Sequence, residues 1–315
     1  MAQPTNTYDT YDNVGIREDL LDTIYNVDPD DTPLLSKMSK GKATNTLHEW
    51  QTDQLDAPSA TNAQIEGDDV THAAITPTVR LGNYTQIFRK DAVITGTAEA
   101  TRRAGRGREA SYQIMLKGKA LKTDYESSVF ANNARVAGNA TTARELAGLP
   151  TWLTSNTDAG SGGSDATGDG TDARTDGTQR AFTEAQFKTV LASIFDNSGR
   201  QADCCYVGSF NKQAASAFTG SSTRFDRGED GKVTAHIQIY EHDFGSIRFE
   251  PSRHVRSREA MLVCHDMLGW VDLRAMKQEQ LSKTGDASKW MLIGEGTLKV
   301  SNEKAHGMVA DLTTS

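Results

Sequence analysis

The residues with the most obvious chemistry are Cys204, Cys205, Cys264 and His265, with His236, His242 and His254 nearby in the chain. Structural zinc sites pair their ligands about two to four residues apart, so that one turn offers two of them to the same ion. Cys204 and Cys205 are instead adjacent in the strand-like "DCCYVG", where neighbouring side chains point to opposite faces. They read as small buried hydrophobes, and no metal or other cofactor is expected. Asp158, Asp165, Asp169, Asp172 and Asp176 supply the oxygen chemistry of calcium, but without the alternating aspartate and glycine rhythm of a calcium loop.

Catalytic and nucleotide motifs are equally sparse. Gly41-Lys42, Gly118-Lys119 and Gly231-Lys232 are followed by Ala43, Ala120 and Val233, where a phosphate loop needs serine or threonine for its magnesium ion. The glycines of "GRGREA", residues 105–110, have dinucleotide-loop spacing, yet the preceding "EATRRA" is no buried strand. No serine has glycine two residues to each side and no HExxH occurs, so neither a nucleophile elbow nor a zinc protease is supported. No catalytic residue is assigned, and the chain does not read as an enzyme.

Charge is the chemistry that remains. "TRRAGRGR" carries Arg102, Arg103, Arg106 and Arg108 just before a long helical pattern. Cations at a helix N-terminus oppose its dipole, so the cluster calls for an anionic partner from elsewhere. Asp53, Asp56, Glu66, Asp68 and Asp69 lie in a stretch with few large apolar residues. An acidic tip and a basic patch, each lacking a local partner, are complementary surfaces for two copies of one chain. These nine residues, with Trp50 at the root of the acidic stretch, are the expected subunit interface.

The elements that position them follow from periodicity. Ile16, Leu20, Ile24 and Val27 recur at helical spacing, Asp28-Pro29 ends that helix, and Thr32-Pro33 caps a short second one that Gly41 can close. Two small helices on a polar leader cannot form a core, so they read as an arm that docks elsewhere. Thr44–Thr52 and Val79–Lys90 alternate as partner strands, with Val79, Leu81 and Ile87 in one phase. The roughly 25 residues between them have no structure of their own, which in a loop that long points to a functional or mobile segment. Such a ribbon is marginal in isolation, so the tryptophan in "TLHEWQT" needs something to pack against.

From Arg108 to about Ala134, Ile114, Gly118, Leu121, Tyr125 and Val129 form the stripe of an amphipathic helix, on the order of 40 Å long. The tract "TDAGSGGSDATGDGTDARTDGTQR" reads as a solvent-exposed insertion because it offers almost nothing to bury. Beyond it "TEAQ" matches a capping box before Phe187, Val190, Leu191 and Ile194 on one helical face, stopped by Asn197 and Gly199. Short strands and one more helix follow. The organisation is α+β, without a regular strand-helix alternation.

At 315 residues the chain can bury a sizeable core, and 37% hydrophobic with 24% charged residues is ordinary for a folded protein. A net charge of −8 gives no general basic footprint for nucleic acid. Three cysteines, two of them adjacent, fit a reducing compartment. Neither a membrane span nor a signal peptide is expected.

Taken together, the arm "GIREDLLDTIYNVDPDDTPLLSKMSKGKATNTLHEWQTDQL", the ribbon, the long helix and the later α+β unit resemble the major capsid proteins of tailed double-stranded DNA bacteriophages. The stretches "DPDDTPLLSKM" and "ATNTLHEWQTDQL" carry that resemblance most specifically. It implies the Johnson fold: an N-arm at 1–47, an extension loop at 48–92, a peripheral domain at 93–155 with a spine helix at 108–134, a Gly/Asp-rich surface insertion at 156–182, an axial domain at 183–271, and peripheral return strands with the C-terminus at 272–315. Trp50 would sit at the base of the extension loop, near the peripheral domain of its own or a neighbouring subunit.

The resemblance also implies function and partners. Hexamers and pentamers of the chain would build an icosahedral head around packaged double-stranded DNA, touched weakly and non-specifically. The protein would reside in the virion after assembly in the host cytoplasm. A portal protein and possibly a decoration protein would be partners, and an arm starting almost at Met1 implies a separate scaffolding protein. No Lys, Asn and Glu trio for covalent crosslinking is assigned. An encapsulin-like compartment, sharing the fold but enclosing cargo, is the alternative, and a soluble enzyme with a flexible lid is the other class to exclude.

Overall fold

The computed structural model describes residues 31–69, 72, 74–101, 107–218 and 239–315. The helix expected around Ile16–Val27 lies outside them. In chain order, helix α1 (Pro33–Lys37) leads into strand β1 (Ser39–Lys42), and the ribbon strands β2 (Leu47–Thr52) and β3 (Val79–Tyr84) run into β4 (Gln86–Thr95). Helices α2 (Gly96–Ala100) and α3 (Glu109–Phe130) follow, then β5 (Thr157–Asp158), α4 (Glu184–Ser198), β6 (Cys204–Val207) and α5 (Ser209–Ser216). The remainder is strand: β7 (Ile239–His242), β8 (Gly245–Pro251), β9 (Ala260–Val263), β10 (Leu268–Leu281), β11 (Ala287–Val300) and β12 (Gly307–Val309).

These strands form two sheets and a ribbon. The four-stranded sheet has the order β1-β10-β11-β4, the six-stranded sheet β5-β12-β9-β6-β8-β7, and β2 pairs only with β3. The mixed helix and sheet organisation is therefore as expected. The C-terminal return differs: β11 joins the four-stranded sheet, but β12 inserts between β5 and β9 of the six-stranded one. The last expected segment, 272–315, is thus divided between both sheets.

Helix α3 packs on the four-stranded sheet through the second half of its apolar stripe. Leu121, Tyr125, Val129 and Phe130 are buried, whereas Ile114 and Gly118 are half-buried. Tyr125 stacks on Trp270 at 4.9 Å and meets the edge of Phe88 at 4.6 Å. The helix occupies Glu109–Phe130, shorter than the expected 108–134, with Arg108 as its N-cap. At 1.5 Å per residue it spans about 33 Å.

Strands β6, β9 and β12 of the six-stranded sheet are buried on both faces, which explains their continuous apolar runs. Alternation splits the adjacent cysteines as expected. Cys204, with Tyr206, Met261 and Val263, joins the core shared with α3 and Trp152. Cys205, with Val207 and Leu262, joins a second core under Phe187, Val190, Leu191 and Ile194 of α4. The Thr183 capping box forms, and Gly199 ends α4 in the left-handed region at φ 63°, where its missing Cβ removes the strain.

Two local expectations change. Gly41 does not close the arm helix; that helix stops at Lys37, and Gly41 lies in β1 beside Val271 of β10. The single strand expected over Val79–Lys90 breaks at Thr85, whose amide bonds Thr46 and whose hydroxyl donates to Glu295 at 2.8 Å. Burial changes phase across the break: Asn83 is buried before it and Phe88, Ala92 and Ile94 after it, leaving Ile87 exposed.

Candidate assembly surfaces

The ribbon is rooted firmly and ends in an uncovered loop. Its root is held by Asn83, fully buried, which donates to the carbonyls of Ala147 and Leu298 and accepts from the amide of Ala147. Trp50 packs against Trp152 at 5.4 Å and is only 9% exposed. It therefore fills an intramolecular core, and its own chain covers most of it. Beyond Thr52, residues 53–69, 72 and 74–78 have no regular structure. Asp53, Asp56, Glu66, Asp68 and Asp69 are all exposed, and no ion pair joins them to a described residue. Leu55, Ile65 and Ile75 stand 98%, 79% and 94% exposed. These three large aliphatic side chains on one loop are the candidate contact surface.

Of the opposing arginines, Arg102, Arg103 and Arg106 lie outside the described residues. Arg108 already has a local partner, since its Nε lies 3.1 Å from Glu99 Oε1. The Arg108 side chain of that pair is 77% exposed, so water screens the contact. Among the described residues no ion pair joins the acidic loop to Arg108, whose partner is Glu99.

The segment 156–182 overturns its reading as a solvated surface insertion. Asn156, Ala166, Arg174 and Phe182 are buried, and β5 within it pairs in parallel with β12. Glycines let the backbone pack closely: a Cβ on Gly160 would stand 2.2 Å from the carbonyl oxygen of Thr178. At its centre Arg174, fully buried, bonds Asp311 at 3.0 Å and Asp176 at 2.9 Å and approaches Glu259 at 3.5 Å. Asp311, at φ 59°, also accepts from the amides of Gly160 and Gly177 and from Arg258. Burial works to raise the Asp311 carboxyl, but Arg174 and the two glycine amides outweigh it and hold it below its usual range. No local pattern reveals this knot, because its members lie up to 151 positions apart. The aspartates themselves are occupied by the protein: Asp165 by Thr157, Asp169 by Thr171, Asp172 by Thr167, Asp158 by Arg180.

A second long-range contact docks the arm. Both oxygens of Glu126 on α3 accept backbone amides at the start of α1, Leu34 at 3.0 Å and Leu35 at 2.8 Å, while the Leu34 side chain is fully buried. Burial raises the Glu126 carboxyl above its ordinary value against the pull of those amides. The last turn is fixed by an ion pair between Lys37 and Glu250.

The cysteine and histidine candidates form no metal centre among the described residues. Burial pushes the Cys204 thiol up to about 12 and raises Cys205 and Cys264 too, which keeps sulfur protonated and unsuited to bind an ion. His265 lies 2.8 Å from the Tyr206 hydroxyl and 3.4 Å from Asp203. Burial raises the Tyr206 phenol, which leaves it a poor nucleophile. Among the described residues no helix is long and apolar enough to cross a membrane.

Comparison with known proteins fits a surface-building chain. A family model described as SU10 major capsid protein matches residues 3–313. The major capsid protein of Escherichia phage Phieco32 is 38% identical over 135 residues, which cover 43% of this chain and 38% of that relative's length. The chain thus aligns with well under half of that curated relative. The cyanophage A-1(L) capsid asymmetric unit superposes with a TM-score of 0.64 at 12% identity, covering 95% of this chain and 98% of the other. A structure of phage G major capsid proteins and decoration proteins superposes with a TM-score of 0.55 at 10% identity, covering 99% and 100%. At such identities the structures establish a shared fold, that of phage capsid proteins, to which the Johnson fold corresponds.

Proposed function

The chain belongs to the SU10 major capsid protein family, and on that premise we propose that its copies assemble as hexamers and pentamers into the icosahedral head that encloses packaged double-stranded DNA. The observation that carries the proposal is the ribbon: a root held by buried contacts, followed by a loop whose Leu55, Ile65 and Ile75 have no cover among the described residues. A second copy of the chain is the simplest cover, since repetition over every interface multiplies weak contacts. In this reading the loop acids Asp53, Asp56, Glu66, Asp68 and Asp69 meet Arg102, Arg103 and Arg106 of the next protomer, with the Arg108–Glu99 pair at the margin. Trp50 contributes by holding the root.

The same reading divides the chain by role. Residues 1–47 are the arm and 48–92 the extension. The body formed by α3 and the four-stranded sheet is peripheral. The six-stranded sheet is axial, with 156–182 and β12 as integral parts of it. Portal and scaffolding proteins are the expected partners, in a head assembled in the host cytoplasm. A decoration protein is another, given the company of the phage G capsid chain. A net charge of −8 favours a wall that packaged DNA does not grip. The encapsulin-like alternative loses ground because the matching family is a phage capsid family.

Electron microscopy and sedimentation of the purified chain, expressed with and without its neighbouring genes, test the proposal. Closed shells or five- and six-fold capsomers are the expected result; a uniform monomer under both conditions would overturn it. The double substitution Arg102→Glu and Arg106→Glu should prevent shells while leaving the subunit folded. Normal shells from that variant would remove the arginines from the interface.

A further inference from the structure

The charge cluster around Arg174 closes on itself. Arg174 and Asp176 come from the 156–182 segment, Arg256, Arg258 and Glu259 from the turn before β9, and Asp311 from two residues past β12. Arg256 bonds Asp176 at 2.6 Å and also pairs with Glu259, while Arg258 bonds Asp176 at 3.2 Å and the carbonyl of Gly177 at 2.6 Å. With every group ionised the three arginines balance the three carboxylates. Glu259 is the unequal member. It is fully buried, its Oε1 takes both its arginine contacts, and its Oε2 has no hydrogen-bond partner. A carboxylate oxygen left in that state costs more than a protonated one, because burial penalises the charge.

We propose that this cluster is a proton-gated clasp: one proton taken up at Glu259 sets how firmly Arg174–Gly177 is held to the Arg256–Glu259 turn and to Asp311. The charged groups facing Glu259 are Arg256 on its own turn, and Arg174 and Asp176 on the segment packed against it; Arg258 and Asp311 complete the ring. Burial raises the Glu259 carboxyl to about 7, against the opposing pull of Arg256 and Arg174. Asp176 is held low: burial acts to raise it, and its hydrogen bond from Arg256 with the surrounding arginines outweighs that. Of the three carboxyls in the ring, Glu259 alone is raised, while Asp176 and Asp311 are lowered.

The sign follows from linkage. A folded-state value above the ordinary one means that the folded chain binds the proton more tightly than the unfolded chain. Glu259 then contributes stability that is present below the ordinary carboxylate range and is lost as pH rises toward about 7. Buried His306, lowered to about 3 by burial, acts in the opposite direction, losing stability as pH falls below its ordinary value. The difference between the wild-type chain and Glu259→Gln isolates the clasp, since His306 is common to both.

The test is thermal unfolding of the full chain and of Glu259→Gln from pH 5.5 to 8.5, with hydrogen exchange of residues 160–178 corrected for its intrinsic pH dependence. The wild type should lose on the order of 3 °C or more relative to the variant across that range. Protection of 160–178 should fall on the order of tenfold relative to residues 287–300. Parallel pH profiles in the two proteins would overturn the proposal. Should the variant fail to fold, carboxyl carbon NMR of the wild type decides: titration of Glu259 near neutrality supports the clasp, and titration in the ordinary carboxylate range or below overturns it.

Discussion

Residues 53–78 and 156–182 look alike as strings of letters. Both are polar and rich in aspartate, and neither shows the period of a helix or strand. In the folded chain they are opposites. The later segment is knotted into the six-stranded sheet by Arg174, Asp176 and Asp311, whereas the described residues of the earlier one leave Leu55, Ile65 and Ile75 exposed. The difference lies in partners. Arg174 finds acids of its own chain that the fold delivers to it, and the acids of the earlier loop find no base among the described residues. A polar segment becomes part of a fold when distant residues complete its charges.

The strongest way to break this contrast is to remove the knot. Arg174→Ala leaves Asp311 and Glu259 buried beside an uncompensated charge, and should cost on the order of 4 kcal/mol in denaturant unfolding. A loss below about 1 kcal/mol would mean that the segment is held by its backbone contacts alone. At the root of the other segment, Trp50→Ala opens the contact with Trp152 and should cost about 3 kcal/mol, because large buried aromatics are deleted at that scale. Full stability with failed assembly would instead return Trp50 to the interface.

Smaller effects sharpen the comparison. Asp172 accepts from Thr167 on the outer turn of the knotted segment, where its bonds are exposed. Asp172→Ala should cost about 1 kcal/mol or less, which would separate the clasped centre from its rim. Replacing Leu55, Ile65 and Ile75 together by serine should change the stability of the isolated chain by no more than about 0.5 kcal/mol. The same variant should form no shells by electron microscopy. Stability loss in that variant would show that the loop is covered by its own chain.

Local pattern determined a good deal. The capping box at Thr183, the buried face of α4, the opposed cysteines and the spine of α3 were all legible, because each rests on neighbours within a few positions; the pairing of β2 with β3 was legible from the alternation of two runs. The exposed acids of the candidate surface were legible for the same reason. Trp50 was legible only as a side chain in need of a partner. Its partner Trp152 is about a hundred positions away, and nothing in "TLHEWQT" specifies it.

What only the tertiary structure decided was the destination of charge and of strand ends. Thr85 breaks one alternating run into two strands because Thr46 and Glu295 take its hydrogen bonds. Glu126 caps a helix 91 and 92 positions away. The clasp gathers Arg174, Glu259 and Asp311 from three separate segments. Apolar periodicity is written locally, since it reports only which face of an element turns inward. A buried charge is tolerated only where the completed fold supplies its counter-charge, so its role belongs to the assembled chain and not to any stretch of it.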